Sequence, residues 1–124
     1  MQVFKTKTFA RFARKAHLED AALCEAIANA ERGLIDADLG GNVIKQRVAR
    51  QGQGKSGGFR VMIVYRRGAR AFFIHGFAKS QRANIARDEL AALKELASEM
   101  LAYDDEEIAR AIASGPLMEV TCHE

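Results

Sequence analysis

The chain has 124 residues, 48% of them apolar and 28% charged, with a formal net charge of +3. That length and balance suit one globular domain over residues 1–124 with a core of its own, and exclude a fibrous or low-complexity chain. No run of about 18 apolar residues occurs, so neither a membrane span nor a membrane partner is expected.

Met1 to Phe12 alternates charged and aromatic residues without an apolar signal core, so no export signal is read. Val3 to Thr6 predicts a short strand. Thr8 is a candidate cap for a helix whose apolar positions are Phe9, Phe12, Ala13 and Ala16, spaced i, i+3, i+4, i+7. A second helix is predicted from Leu18 to Arg32, closed by Gly33, and the two helices read as a hairpin. Cys24 falls in this second helix as a small buried hydrophobe, and Cys122 reads as an unpaired residue of the tail. Two cysteines do not suggest a disulfide framework, and a reducing cytoplasm is the expected compartment.

The pattern changes after Gly40 and Gly41. Val43 to Arg50 is a strand candidate, and Gln51 to Gly58, with four glycines, is a flexible connection. Phe59 to Arg66 alternates, with Phe59, Val61, Ile63 and Tyr65 on one side. Arg67 to Ala69 is a turn, and Arg70 to Phe77 pairs back as a hairpin strand. These three strands predict an antiparallel meander. Ser80 is read as the cap of a long helix from Gln81 to Ala102, with Ile85, Leu90, Leu93, Ala97 and Met100 as its buried stripe. Asp104 and Glu107 form a capping-box pattern for a final helix through Ala113, ended by Gly115 and Pro116. The fold class is α+β, with a strand and helical hairpin in 1–38, a basic antiparallel sheet in 42–79 and C-terminal helices in 80–114.

Charge is the strongest functional signal. From Leu39 to Arg87 there are eleven Lys or Arg residues and no Asp or Glu. Residues 1–38 carry six basic and six acidic side chains, and residues 88–124 carry two basic and ten acidic ones. Concentrated like charge is tolerated where a polyanion binds, and nucleic acid is the expected polyanion. On a strand with one buried face, Arg60 and Arg66 would share the open face, and Lys45 and Arg47 the matching face of the neighbouring strand, building a positive shelf. A solvated sheet surface is the plain alternative.

The run Gly52-Gln53-Gly54-Lys55-Ser56-Gly57-Gly58 lacks the first glycine of a phosphate loop, because Ala49 stands there, and a strand rather than a helix follows. A nucleotide-hydrolase reading therefore fails, while Lys55 could still approach a phosphodiester. Lys79 ends the Arg70–Phe77 strand. His75 lies within that strand, where a packed imidazole is commoner than a general base. Thr121-Cys122-His123-Glu124 offers too few ligands for a metal, so no metal or cofactor is expected.

Taken together, Lys45-Gln46-Arg47-Val48-Ala49-Arg50, the glycine run, Phe59-Arg60-Val61-Met62-Ile63-Val64-Tyr65 and Phe72-Phe73-Ile74-His75-Gly76-Phe77-Ala78-Lys79-Ser80 resemble the RelE/ParE toxin superfamily. Within it they are similar to the HigB-like branch of RelE-type toxins of type II toxin–antitoxin modules. The resemblance implies an endoribonuclease that cuts mRNA in the ribosomal A site, with the ribosome and a cognate antitoxin as partners. It implies metal-free cleavage, in which the RNA 2′-OH attacks the adjacent phosphate. On this chain it implies Arg60 and Lys79 as phosphate and transition-state stabilisers, with His75 as a further candidate for proton transfer. Lys45, Arg47, Arg50, Lys55 and Arg66 would hold RNA phosphates. The functional C-terminal tyrosine or histidine of many relatives has no match in Tyr103 or His123, so the general base stays unassigned. A ParE-like DNA gyrase inhibitor and a non-catalytic RNA-binding module are the alternative readings.

Overall fold

The computed structural model describes residues 1–49 and 58–122. Among them the chain forms β1 (Gln2–Thr6), α1 (Lys7–Ala16), α2 (Asp20–Glu31), β2 (Ala37–Asp38), β3 (Val43–Val48), β4 (Phe59–Arg66), β5 (Arg70–Ala78), α3 (Arg87–Leu101), α4 (Asp105–Ser114) and β6 (Leu117–Glu119). The strands make one six-stranded sheet in the order β2-β3-β4-β5-β1-β6.

The meander is present: β3, β4 and β5 pair antiparallel in sequence order. The sheet as a whole is mixed rather than antiparallel, because β1 lies parallel to β5, from Gln2 opposite Arg70 to Lys5 opposite Phe73. The strand that opens the chain thus extends the meander beyond β5, and β6 extends it again, antiparallel to β1.

Two helical layers enclose the sheet. On one face, Phe9 and Ala13 of α1 and Leu23, Ala26 and Ile27 of α2 meet Ile44, Val61, Ile63 and Phe73. On the other face, Ala97 and Met100 of α3 and Ile108 of α4 meet Phe4, Val43, Met62, Val64 and Phe72. The expected helical hairpin is corrected here: α1 packs on β5 and α2 on β3, so the sheet holds each helix more than the helices hold each other. The cap of α1 is Thr6, not Thr8. Its Oγ1 accepts from the Phe9 N–H at 3.1 Å, so the strand runs directly into the helix. At the other end His17 takes a left-handed conformation, with φ 57°. Gly33 closes α2 at φ +83°, where its N–H reaches Ala30 and the Leu34 N–H reaches Asn29, a Schellman ending.

The cysteine reading is overturned. Cys24 and Cys122 form a disulfide that ties the tail after β6 to α2, with their Cα atoms 5.6 Å apart. A separation of 98 residues hid this pairing from any local pattern. Among the described residues no helix is long and apolar enough to cross a membrane.

α3 begins at Arg87, not at Gln81, and Ser80 does not cap it. The Ala78 carbonyl accepts from the Gln81 and Arg82 N–H groups, turning the chain. Arg82 then spends its Nε on the Asn84 carbonyl at 2.8 Å. Asp88 and Glu89 sit in the first turn of α3, where carboxylates favour a helix start. α4 opens as its sequence predicts: Asp104 accepts from the Glu107 N–H at 2.8 Å, and Glu107 accepts from the Asp104 N–H at 3.0 Å.

A candidate cationic site at one end of the sheet

β4 is buried on both faces from Phe59 to Tyr65. The expectation of one open face therefore fails, and Arg60 is only 4% exposed. Arg60 and Arg66 do share the α3 face, but Met62 and Val64 lie between them under α3. Six residue steps along the strand set the two arginines about 20 Å apart. The basic shelf is thus two basic ends.

The end that carries Arg60 gathers most of the expected site residues. Cross-strand register places Arg47 and Phe77 on either side of Arg60, and Lys45 and His75 on either side of Met62. All share one face. Beyond Phe77, the Lys79 N–H bonds the Gly58 carbonyl at 3.0 Å, continuing the pairing, so Lys79 stands on the face of Phe77 and beside Arg60. A bulge makes this possible. Ile74 has no partner on β4, because Met62 faces His75 while Ile63 faces Phe73. Such an extra residue re-aims the side chains beyond it.

Arginines directly opposite on neighbouring strands repel. Asp36 relieves that cost at Arg47: its carboxylate accepts from the Arg47 Nε at 2.8 Å and lies 3.8 Å from the Lys45 ammonium. Gln46 holds Asp36 in place. Its buried side chain accepts from the Asp36 N–H at 2.9 Å and donates to the carbonyls of Ala26 and Leu34. Arg60 donates to the Phe59 carbonyl at 3.3 Å. Lys79 is exposed and has no side-chain hydrogen bond or ion pair among the described residues.

Sequence reasoning missed three members of this corner: Phe77, Arg82 and Glu89. Arg82 donates to Glu89 through both terminal nitrogens, at 2.6 and 3.2 Å, and its guanidinium carbon lies 5.2 Å from the centre of the Phe77 ring. In the expected helix from Gln81, Arg82 and Glu89 would stand two turns apart. Only the irregular stretch before Arg87 lets them meet. His75 Nε2 is buried without a hydrogen-bond partner among the described residues, 3.8 Å from the Glu89 carboxylate. Burial pushes the imidazole below its ordinary value, with Glu89 opposing that shift and Arg82 adding to it. The hydrogen bond from Arg82, then that from the Ala86 N–H, holds the Glu89 carboxyl below the usual carboxylate value.

The other basic end is arranged differently. Arg66 is exposed and lines a cleft of about 370 Å³ with Asn42, Lys94 and Ser98. Arg70 donates to Asp105 and to the Tyr103 carbonyl, both at 2.6 Å. Arg50 and Lys55 lie outside the described residues, as do the glycine run up to Gly57 and His123. Among the described residues no group of three or more His, Cys, Asp or Glu could hold a metal ion.

Chemically, the corner offers on one face of a strand end a buried and an exposed cation, Arg60 and Lys79, a neutral imidazole and the oriented guanidinium of Arg82. Such a set binds and stabilises a phosphate whose charge grows during reaction. No curated protein and no solved structure matches the chain. A family model described as the RelE toxin of the RelE/RelB toxin–antitoxin system matches residues 1–120.

Proposed function

Because the chain belongs to the RelE toxin family, and is thereby the toxin of a toxin–antitoxin system with a cognate antitoxin as its partner, we propose that it is a HigB-like, ribosome-dependent mRNA endonuclease. Residues 1–124 act as one toxin domain, and the substrate is mRNA in the ribosomal A site. The observation that carries this reading is the meeting of Arg60, Lys79 and His75 on one face at the bulged end of β5.

In the proposed reaction the 2′-OH of one nucleotide attacks the adjacent phosphorus. The O2′–P bond forms and the P–O5′ bond breaks, leaving a 2′,3′-cyclic phosphate and a 5′-OH. The 2′-OH proton passes to a base, and a proton is delivered to the departing O5′. Arg60 and Lys79 stabilise the added charge on the phosphorane. The His75 imidazole, kept neutral near pH 7 by burial, is the residue with the chemistry to take the proton. Lys45 and Arg47 hold flanking phosphates, and Arg50 and Lys55 extend that contact along the chain.

The test is cleavage of a defined mRNA by the purified protein, with and without programmed ribosomes. Lys79→Ala and Arg60→Met, the latter keeping an apolar stem in the buried site, each lower the cleavage rate on the order of 100-fold. Lys79→Ala leaves the melting temperature unchanged. Retained cutting by both variants would refute the assignment. An absence of cutting by the wild type under every condition would move the reading to gyrase inhibition or passive RNA binding.

A further inference from the structure

We propose that Arg82 is an additional phosphate-binding residue of this corner and that Glu89 is the residue that positions it. The identity of the substrate, RNA, rests on the endonuclease reading above.

Arg82 stands in the irregular stretch between β5 and α3. An arginine there has a long stem with no regular element to hold it, and ordering that stem costs side-chain entropy. Four contacts order it: Nε on the Asn84 carbonyl, two terminal nitrogens on Glu89, and the guanidinium carbon over the Phe77 ring. Glu89 is fixed in turn by the first turn of α3, where its Oε1 also accepts from the Ala86 N–H at 3.0 Å. The line of support runs from the helix through Glu89 to Arg82, then to Phe77, the register partner of Arg60. Arg82 is therefore held beside the same strand end as Arg60 and Lys79.

Donor counting leaves capacity for a ligand. A guanidinium has five N–H donors, and three are used here, one on each nitrogen. The two that remain, on a side chain 37% exposed, can reach a phosphate oxygen. A carboxylate in a phosphate-binding corner weakens anion affinity through its own charge. Its contribution is geometric: a bidentate grip fixes the plane of the guanidinium, which a lysine could not reproduce. The hydrogen bond from Arg82 keeps Glu89 ionised, and so keeps the grip closed.

The plain alternative is that Glu89 only caps α3. Glu89→Gln separates the two, because the amide oxygen still accepts from the Ala86 N–H while the charged bidentate pair is lost. The experiment uses the full chain, a defined single-stranded RNA with and without ribosomes, and the variants Arg82→Ala, Arg82→Lys and Glu89→Gln. Rate at saturating RNA, RNA affinity across a salt series, and melting temperature are each recorded. Arg82→Ala is expected to slow cleavage on the order of 100-fold and to reduce the slope of log affinity against log salt by about 0.7, one phosphate contact on a single strand. Arg82→Lys keeps the salt slope yet stays slow. Glu89→Gln slows cleavage about tenfold or more through misplacement of the cation, while RNA affinity holds or rises and the melting temperature falls only slightly, by the loss of one first-turn carboxylate.

Glu89→Gln that lowers melting temperature and affinity together would reduce Glu89 to a helix cap and overturn its positioning role. Wild-type rates in Arg82→Ala and Glu89→Gln would overturn the inference while the endonuclease reading stands. Where the wild type itself does not cut, the endonuclease reading fails and the salt series still decides: an unchanged slope in Arg82→Ala removes the phosphate contact, and a slope reduced by about one contact upholds it.

Discussion

Along its α1–α2 face, β4 presents Phe59, Val61, Ile63 and Tyr65, all covered, and the closure is reinforced by aromatic contacts and by the disulfide. Phe9 lies 5.2 Å from Phe73, and Phe12 stands edge-on to Phe59 at 5.8 Å. Along its α3–α4 face the same strand presents Met62 and Val64 to helices, but closes with an arginine at each end. The first face uses its whole length for burial. The second uses its middle for burial and its ends for charge. The apolar middle fixes the strand backbones, so a cation at the end inherits a rigid position without needing rigid neighbours of its own.

Three perturbations would break or sharpen this contrast. The largest is loss of the cross-link on the closed face. Replacing Cys24 and Cys122 together by serine removes a closure of 98 residues, worth about 4–5 kcal/mol in the chain-entropy treatment. Urea unfolding reads it, and a midpoint indifferent to both the substitutions and a reductant would show that the closed face does not depend on the tether. Next is Gly76→Ala. A Cβ at Gly76 falls inside contact distance of the Phe12 ring, and overpacking of this kind costs about 2–3 kcal/mol. Trimming the ring in a Gly76→Ala, Phe12→Leu double variant returns part of that loss, as a double-mutant cycle measures. A wild-type melting temperature for Gly76→Ala alone would mean that α1 is not seated as described.

The smallest is alkaline. Burial first, and then the hydrogen bond to the Glu31 carboxylate, push the Tyr65 phenol up to about 12. The unfolded phenol ionises near 10, so the stabilisation is whole below pH 10 and is lost as pH rises through the folded value. By pH 11 the loss is about 1 kcal/mol. Tyr65→Phe should flatten that limb of the stability profile, and an identical limb in the variant would contradict the assignment.

Elements with a period were legible in the sequence. The alternation of Phe59 to Tyr65 gave the correct set for one face of β4, and Asp104 with Glu107 gave the correct helix start, because both signals are local. The cationic corner was legible in composition but not in arrangement. Eleven basic residues without an acid look uniformly positive, yet folding returns carboxylates from outside that segment: Asp36 to Lys45 and Arg47, Glu89 to Arg82, and Asp105 to Arg70. Arg60 looked exposed because its strand was given one covered face. α3 covers the other, and the strand's own sign of that second layer, the unbroken apolar run Val61 to Tyr65 with Met62 and Val64 on the second face, was masked by the arginines at its ends. The parallel place of β1 and the Cys24–Cys122 link depend on pairings across most of the chain, which no window of neighbouring residues encodes.

Ile74 gives the sheet something like a reading frame. Strand side chains come in twos, so a single unpaired residue inverts the parity of everything after it, much as one inserted nucleotide displaces every later codon. Upstream of Ile74, Phe72 points to the α3 side; downstream, His75, Phe77 and Lys79 do, at odd spacing from it. Paired at full length without that bulge, the strand would keep every one of its letters and send His75, Phe77 and Lys79 to the face of α1. The same letters thus own this site or lose it according to whether one residue is left out of the pairing.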